Sequence, residues 1–261
     1  MSDALVRLVA ERFDAFAGGF LDAPGDGFAY SLKIKHTKRV LGIAEGIAQA
    51  ESLPEDETLA SRLAALMHDV GRFPQYLQYK TFRDADSANH AALSVRHALS
   101  EKLLEGVPTH IRRMVLGAVY LHNKRDLPNI SSPALRTVAQ VVRDSDKLDI
   151  YSVMIAHFAQ EKPKHPEVAL NVIDAPEKYT PAVLDDLRQR TLGDYRTIVY
   201  INDFKLMAIG WLYDLNFRSA CRTLHERGYL DTLFDTLPRD ENIANFRRQI
   251  EQDIARKIEG A

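Results

Sequence analysis

Cysteine is almost absent from the chain, which has a single one, Cys221, among its 261 residues. One cysteine excludes an internal disulfide framework and a zinc site built from several cysteines. It is consistent with a reducing compartment. An excess of either charge is also absent, because 34 Lys and Arg residues face 36 Asp and Glu residues. The net charge of −2 therefore gives no bulk positive field for a nucleic acid duplex and no polybasic tail for an anionic membrane.

Long apolar runs are missing as well, since none approaches the ~20 residues that span a bilayer. The N-terminal sequence MSDALVRLVAERF carries Asp3, Arg7 and Glu11 at helical spacing, which is unlike a signal peptide. Internal repeats and low-complexity tracts are not visible in the sequence. We therefore expect a cytoplasmic protein with neither a membrane nor a nucleic acid duplex as partner. Whether it forms a homodimer stays open.

Hydrophobic residues make up 46% of the chain, and along the sequence they recur at intervals of three and four. Val40, Ile43 and Ile47, for example, share one helical face with His36. From Leu63 to Met67 no residue is polar, which is typical of an interior helix. The spacing predicts an all-α fold, a helical bundle with more than half of the residues in helices.

Capping residues and helix breakers predict where the helices begin and end. Ser52 and Glu55 form a capping-box pattern and Gly71 is typical of a helix C-terminus, so we expect a helix over 52–71. Ser132 followed by Pro133 predicts the start of a helix that reaches Phe158. A polar loop is expected over 72–86 and a short strand over 168–173. Further helices are expected over 5–16, 87–106, 109–122, 180–192, 194–218 and 242–258.

The best candidate for a domain boundary is the segment Lys162-Pro163-Lys164-His165-Pro166. It predicts a first helical domain over 1–165. Residues 166–261 are then a C-terminal helical extension, which we expect to pack on the first domain as one globular unit.

Two isolated polar residues lie on apolar helix faces. Asp146 shares its face with Val138 and Val142, whereas Asp144 lies on the other side. A carboxylate on such a face must be paired, hydrogen-bonded or bound to a metal, since its burial alone costs several kcal/mol. His36 raises the same question. Taken singly, each is more typical of a buried ion pair or of a core histidine bonded to a carbonyl.

The doublet His68-Asp69 is more informative because it falls at the predicted end of the interior helix. A histidine at a helix C-terminus complements the helix dipole, but the carboxylate of Asp69 is unfavourable there. Imidazole and carboxylate together suit a divalent metal ion. On this pair alone, a metal site and an ordinary helix terminus remain equally good interpretations.

Further histidines strengthen the metal interpretation. His90 and His122 each lie on the apolar face of their own predicted helix, and His97 shares the face of His90 as either a supporting or a core residue. Several helices thus present one His or His-Asp on the buried side. Helical bundles build metal sites in this way, from side chains on facing helices.

The same order of residues resembles the HD superfamily of metal-dependent phosphohydrolases, whose signature is a His, a later His-Asp doublet and a still later Asp. The stretch SDKL at 145–148 is similar to the segment that carries the late Asp in that family. The resemblance covers roughly residues 28–158, and it implies an HD-type helical domain. It implies this set of metal ligands: His36, His68, Asp69, His90, His122 and Asp146.

Within the family, two extra histidines between the doublet and the late Asp are typical of two-metal members, and His90 and His122 are the candidates here. The resemblance therefore implies one or two divalent ions, with Mn, Mg, Fe, Co and Zn all open. The subgroup that cleaves cyclic dinucleotides carries a Gly-Tyr-Pro motif. In this chain His122 is followed by Asn123 and that motif is absent, so cyclic di-GMP is not supported as substrate.

The resemblance implies hydrolysis of a phosphate mono- or diester, and we expect a small nucleotide-like substrate. Asp69 is expected to orient or deprotonate the attacking water. Arg72 is the first candidate for a positively charged side chain that contacts the phosphate, followed by Lys147 and Lys124. For both lysines, a solvated side chain is the ordinary interpretation. Two other functions stay open: an HD-fold di-iron oxygenase that uses the same ligands, and a ligand-binding module without activity.

Overall fold

A computed structural model describes residues 2–22, 27–158 and 172–260 of the chain. Its α-helices, in chain order, are α1 Ser2–Gly18, α2 Gly27–Ala50, α3 Glu55–Met67, α4 Arg72–Tyr79, α5 His90–Ser100, α6 Thr109–Leu121, α7 Pro133–Phe158, α8 Pro181–Arg188, α9 Ile201–Gly210, α10 Arg218–Glu226, α11 Tyr229–Phe234 and α12 Glu241–Glu259. Short 3-10 turns lie at Asp84–Asp86, Tyr195–Thr197 and Trp211–Asp214.

The predicted all-α fold is confirmed, because these helices cover more than half of the 261 residues. Across the described ranges, β-structure is limited to one parallel bridge between Ile173 and Tyr200. Most of the strand expected over 168–173 lies outside the described residues. No helix in those ranges is both long and apolar enough to cross a membrane.

The chain divides into two compact units, residues 1–149 and 150–261. The division falls inside helix α7, after Asp149. The boundary expected between residues 165 and 166 lies outside the described residues. The packing of the C-terminal helices on the first domain stays a prediction.

Helix α3 is the centre of the first unit, where it packs against α1, α2 and α6. Its residues Leu63, Ala64 and Met67 are completely buried, as expected for the stretch of this helix that has no polar residue. Aromatic rings close the core beside it, with Phe73 of α4 between Phe13 of α1 and Tyr30 of α2. A helix end surrounded by core residues places whatever follows α3 inside the unit.

The expected capping box at Ser52 is wrong, because Ser52 ends α2 and does not begin α3. Its φ is 52°, in the left-handed region, and the N–H of Leu53 donates to the carbonyl of Ala48 at 3.0 Å. This is the pattern of a Schellman C-terminus. Helix α3 is instead preceded by Pro54, which provides no side-chain cap.

The loop expected over 72–86 is wrong in its first half, which forms α4. Phe73 and Tyr76 are buried one turn apart on this helix, and Gln75 between them is buried too, with its amide donating to Ser87 and to the carbonyl of Ala88. The helix expected over 87–106 is shorter and begins at His90, because Asn89 caps it by accepting from the N–H of Ala92.

The second unit is built around α9, which packs against α8 and α11, while α10 packs against α12. The continuous helix expected over 194–218 is wrong. Asp203 is the physical reason, because it accepts hydrogen bonds from the N–H groups of Val199 and Tyr200 and so fixes the start of α9 at Ile201. The expected last helix is confirmed as α12.

Candidate metal centre

The first half-site is formed by His36 of α2, His68 directly after α3, and the adjacent Asp69. All three are buried, and one ligand atom from each lies within 4.8 Å of the others. The Nε2 atom of His36 lies 3.2 Å from Nε2 of His68 and 3.6 Å from Oδ2 of Asp69. Asp146 of α7 adds a carboxylate, with Oδ1 at 3.1 Å from His36 Nε2 and 3.7 Å from His68 Nε2.

The second half-site is formed by Asp69, His90 and His122, which are also buried with ligand atoms within 4.8 Å of one another. Nε2 of His90 lies 2.9 Å from Nε2 of His122 and 3.7 Å from Oδ1 of Asp69. Asp69 therefore belongs to both half-sites, with one carboxylate oxygen toward each. The structure brings all six residues of the expected ligand set into one cluster.

Two of these histidines are positioned by the same local device. His68 and His122 each follow the last residue of a helix, and each Nδ1 donates to the carbonyl three residues earlier, at 2.7 Å. These carbonyls, of Ala65 and Val119, belong to the final helical turn, where acceptors are left over. The bond fixes each ring so that its Nε2 atom faces the cluster.

The other two histidines are positioned by carboxylates. Nδ1 of His36 donates to Oδ2 of Asp149 at 2.7 Å, and Arg39 binds both oxygens of that aspartate. Nδ1 of His90 donates to Oδ2 of Asp84 at 2.7 Å. Carboxylate–histidine pairs of this kind commonly orient metal-ligating rings.

The donor set fits divalent metal ions, as its hydrogen bonding shows. Because every Nδ1 atom of the four histidines faces an acceptor, each carries the proton there and leaves Nε2 as the ligand atom. The Nε2 atoms of His90 and His122 then point lone pairs at each other across 2.9 Å. Lone pairs held so close need a cation between them, and imidazole with carboxylate is a donor set for transition-metal ions.

The two ligand carboxylates have lowered pKa values. Burial raises the pKa of Asp69, but the charges of Lys33, His68 and other neighbours outweigh burial and hold the pKa well below its usual range. Burial likewise raises the pKa of Asp146, and the hydrogen bond with His36 more than reverses that effect. Both groups are therefore anionic at neutral pH, as metal ligands must be.

Three of the histidines have lowered pKa values, chiefly because burial disfavours their charged form. They are His68, His90 and His122, and the pKa of His122 falls to about 3. For His36, burial lowers the pKa, but hydrogen bonds with the two aspartates of α7 outweigh burial and raise it. The same carboxylates favour positive charge at Nε2 of this ring, which is the atom that a divalent ion would contact.

The cations expected at the phosphate lie in different settings. Arg72 donates through one nitrogen to Asp84 at 3.0 Å and to Gln75 at 2.8 Å, and it also contacts the carbonyl of Phe82. Lys147 follows Asp146 on α7 and is half-buried. Lys124 lies over the ring of Tyr120. None of these positions tests the expected contact with a phosphate, which stays a prediction.

Sequence reasoning missed three residues that contact the cluster: Lys33, Asp84 and Asp149. Lys33 and Asp149 had a signal, since each is three residues from a ligand on the same helix. Asp84 had none, because it lies in a 3-10 turn without helical periodicity. His97, in contrast, lies 3.9 Å from Glu101 and packs on Phe16, which is the core alternative for this residue.

Comparison with known protein families supports the resemblance to the HD superfamily. Residues 34–151 match the family model of the HD domain. Comparisons with curated proteins and with solved structures found no match. The matched range contains the six ligand residues together with Asp84 and Asp149. Residues 34–151 of this chain are therefore an HD domain.

Proposed function

We propose that this chain is a metal-dependent phosphohydrolase that cleaves a phosphate mono- or diester, with a small nucleotide-like molecule as its substrate. The observation that carries this proposal is the pair of half-sites that share Asp69. Six side chains with pre-oriented ligand atoms suit one or two divalent ions. The resemblance to the HD superfamily supports phosphate ester hydrolysis as the chemistry.

The side chains of this site have distinct parts in the proposed reaction. Divalent ions at such a site supply activation of water near neutral pH and polarisation of a phosphoryl oxygen. The four histidines are held rigidly by their Nδ1 bonds, so the site needs little rearrangement before the reaction. Asp69 lies between the half-sites, where its carboxylate is placed to orient the attacking water. Arg72 and Lys147 retain their predicted roles toward the phosphate.

Metal analysis and a phosphate-release screen test this proposal together. Metal content is measured by mass spectrometry on untreated protein, and phosphate esters are then screened with Mn, Mg, Co or Fe added. We expect metal-dependent phosphate release that Asp146→Ala abolishes. The matched control is His110→Ala. His110 is an exposed histidine outside the ligand cluster, and its ring contacts the exposed Asp56.

Two results would contradict the phosphohydrolase. Turnover that requires air and tightly bound iron, without phosphate release, indicates the oxygenase. Protein that holds no metal after gentle purification, and binds none when it is added, indicates a binding module.

A further inference from the structure

The ammonium group of Lys33 donates a hydrogen bond directly to a ligand carboxylate, and the nearest Arg72 nitrogen, Nε, lies farther from the same carboxylate, at 3.5 Å from Oδ1 of Asp69. Lys33 lies on α2 three residues before His36, and its Nζ donates to Oδ2 of Asp69 at 2.7 Å. The side chain of Lys33 is 17% exposed, whereas that of Asp69 is 4% exposed. Its ammonium group also lies 5.3 Å from the centre of the Phe82 ring. Lys33 thus connects the buried ligands with the solvent-accessible edge of the site.

The neighbouring arginines are held differently. Arg39 binds both oxygens of Asp149, which holds the ring of His36. Arg72 binds Asp84, which holds the ring of His90. If Arg39 turned toward a substrate, it would release the carboxylate that orients His36. Arg72 holds Asp84 through Nη1, so its predicted contact with the phosphate falls to its other nitrogens. Lys33 supports no such carboxylate, because its partner is itself a ligand.

The bond between Lys33 and Asp69 is also the one that metal binding weakens. A carboxylate that ligates a divalent ion shares its charge with that ion, and so attracts a nearby ammonium group less. Lysine presents three donors on a flexible stem and behaves as a mobile point charge. Lys33 is then free to turn to a different anion at the edge of the site.

We propose that Lys33 binds the phosphate group of the substrate. This inference rests on the proposed function, since it assigns a partner to the phosphate that the two half-sites would hold. Lys33 acts beside Asp69, donating hydrogen bonds to a non-bridging phosphate oxygen while the ligand set stays intact. Its role is binding and charge neutralisation, which stabilises both the bound ester and the phosphate product.

Binding of inorganic phosphate to the manganese-loaded protein tests this inference by calorimetry. The test variant is Lys33→Gln and the matched control is Lys35→Gln, an exposed lysine on the same helix. We expect Lys33→Gln to weaken phosphate binding by about tenfold or more, as loss of a charged hydrogen bond does. Lys35→Gln is expected to bind phosphate like the wild type. Manganese content, measured by mass spectrometry, is expected to be equal in all three proteins.

A second variant, Lys33→Arg, keeps the charge and is expected to bind phosphate within about threefold of the wild type. The inference is overturned if Lys33→Gln keeps the wild-type affinity, or if its manganese content falls, since Lys33 would then act only on Asp69. The proposed function fails separately. Wild-type protein that releases no phosphate from any ester contradicts the hydrolase, whereas active wild type with an unaffected Lys33→Gln contradicts only the role of Lys33.

Discussion

Both units of the chain bury carboxylates, yet the two units surround them with different atoms. In the second unit, Asp203 is completely buried and accepts hydrogen bonds from Thr180 and from the N–H groups of Val199 and Tyr200. In the first unit, Asp69 is just as deeply placed, but Nε2 atoms of histidines face both of its oxygens. Hydrogen-bond donors therefore surround Asp203, whereas Asp69 has one close donor, Lys33, and the Nε2 atoms of three histidines around it.

The comparison teaches that burial of a charged group does not by itself indicate a site. A buried carboxylate with matched donors fixes the backbone, and this is the commonest state of buried polar groups. A buried carboxylate among lone pairs needs a cation before its neighbours are satisfied. The two cases respond differently to mutation, and the following experiments measure that difference.

The largest effect is expected from loss of a ligand in the first unit. His68→Ala should remove metal and lower any metal-dependent activity by more than about 100-fold, since loss of outer hydrogen-bond partners alone costs about 10–100-fold. Far-ultraviolet circular dichroism should show an unchanged helix content. His110→Ala serves as control and should keep its metal. Retention of full metal content by His68→Ala would contradict the first half-site.

The opposite pattern is expected for the second unit. Asp203→Ala should lower the free energy of unfolding by about 3 kcal/mol, because it leaves several buried N–H and O–H donors without acceptors. Metal content of the folded protein should not change. Urea unfolding and mass spectrometry measure the two quantities. The comparison breaks if Asp203→Ala loses metal while its stability is unaffected.

A smaller effect is expected from the carboxylate that orients His90. Asp84→Asn keeps the shape of the side chain but removes its charge, and should weaken metal binding by about tenfold or more. The control is Asp86→Asn, a neighbour whose ion pair with Arg83 lies at the surface. Titration of metal-free protein with manganese gives both affinities. Equal manganese affinity in the two variants would contradict the role of Asp84 in orienting His90.

The smallest effect concerns pH in the absence of metal. His122 has a pKa of about 3 in the folded protein, against 6.5 as its ordinary value. Between these values the unfolded chain binds the proton more readily, so His122 makes the free energy of unfolding fall as pH falls, with a limiting slope of about 1.4 kcal/mol per pH unit. His122→Asn cannot take up this proton and should unfold with a shallower pH dependence. Urea unfolding of chelator-treated protein at pH 7, 6 and 5 measures the slope, and identical slopes would contradict the buried, neutral state of His122.

Much of the fold and of the ligand set was predictable because both depend on helical periodicity. Asp146 and His36 stood out as polar residues on apolar stripes, and the structure brings them within 3.1 Å of each other. The interior position of the end of α3 followed from the lack of polar residues between Leu63 and Met67. Asp144, predicted on the other side of α7 from Asp146, is completely buried, whereas the side chain of Asp146 is 20% exposed. Periodicity indicates one inward face of a helix and does not describe a helix that is buried on more than one side.

The remaining features depend on local geometry that periodicity does not describe. Ser52 resembles an N-cap in sequence, but its left-handed backbone makes it the end of the preceding helix. Asp84 lies in a turn, and only folding brings it to His90. Gly71 is predicted as the C-terminus of a helix over 52–71, but α3 ends at Met67 and Gly71 precedes α4 with a φ of −66°. Close packing is what requires glycine there, since a Cβ atom would lie 2.4 Å from the N–H nitrogen of Ser94. Tertiary contacts of this kind have no signature in a single sequence.

The number of ions bound per chain tests the central claim most directly, because that claim is that two half-sites share Asp69. Mass spectrometry of manganese-loaded protein should give two ions per chain in the wild type and about half of that in His90→Ala, which leaves the first half-site intact. An unchanged ratio in His90→Ala, or a wild-type protein that binds a single ion, would contradict the second half-site and the shared role of Asp69.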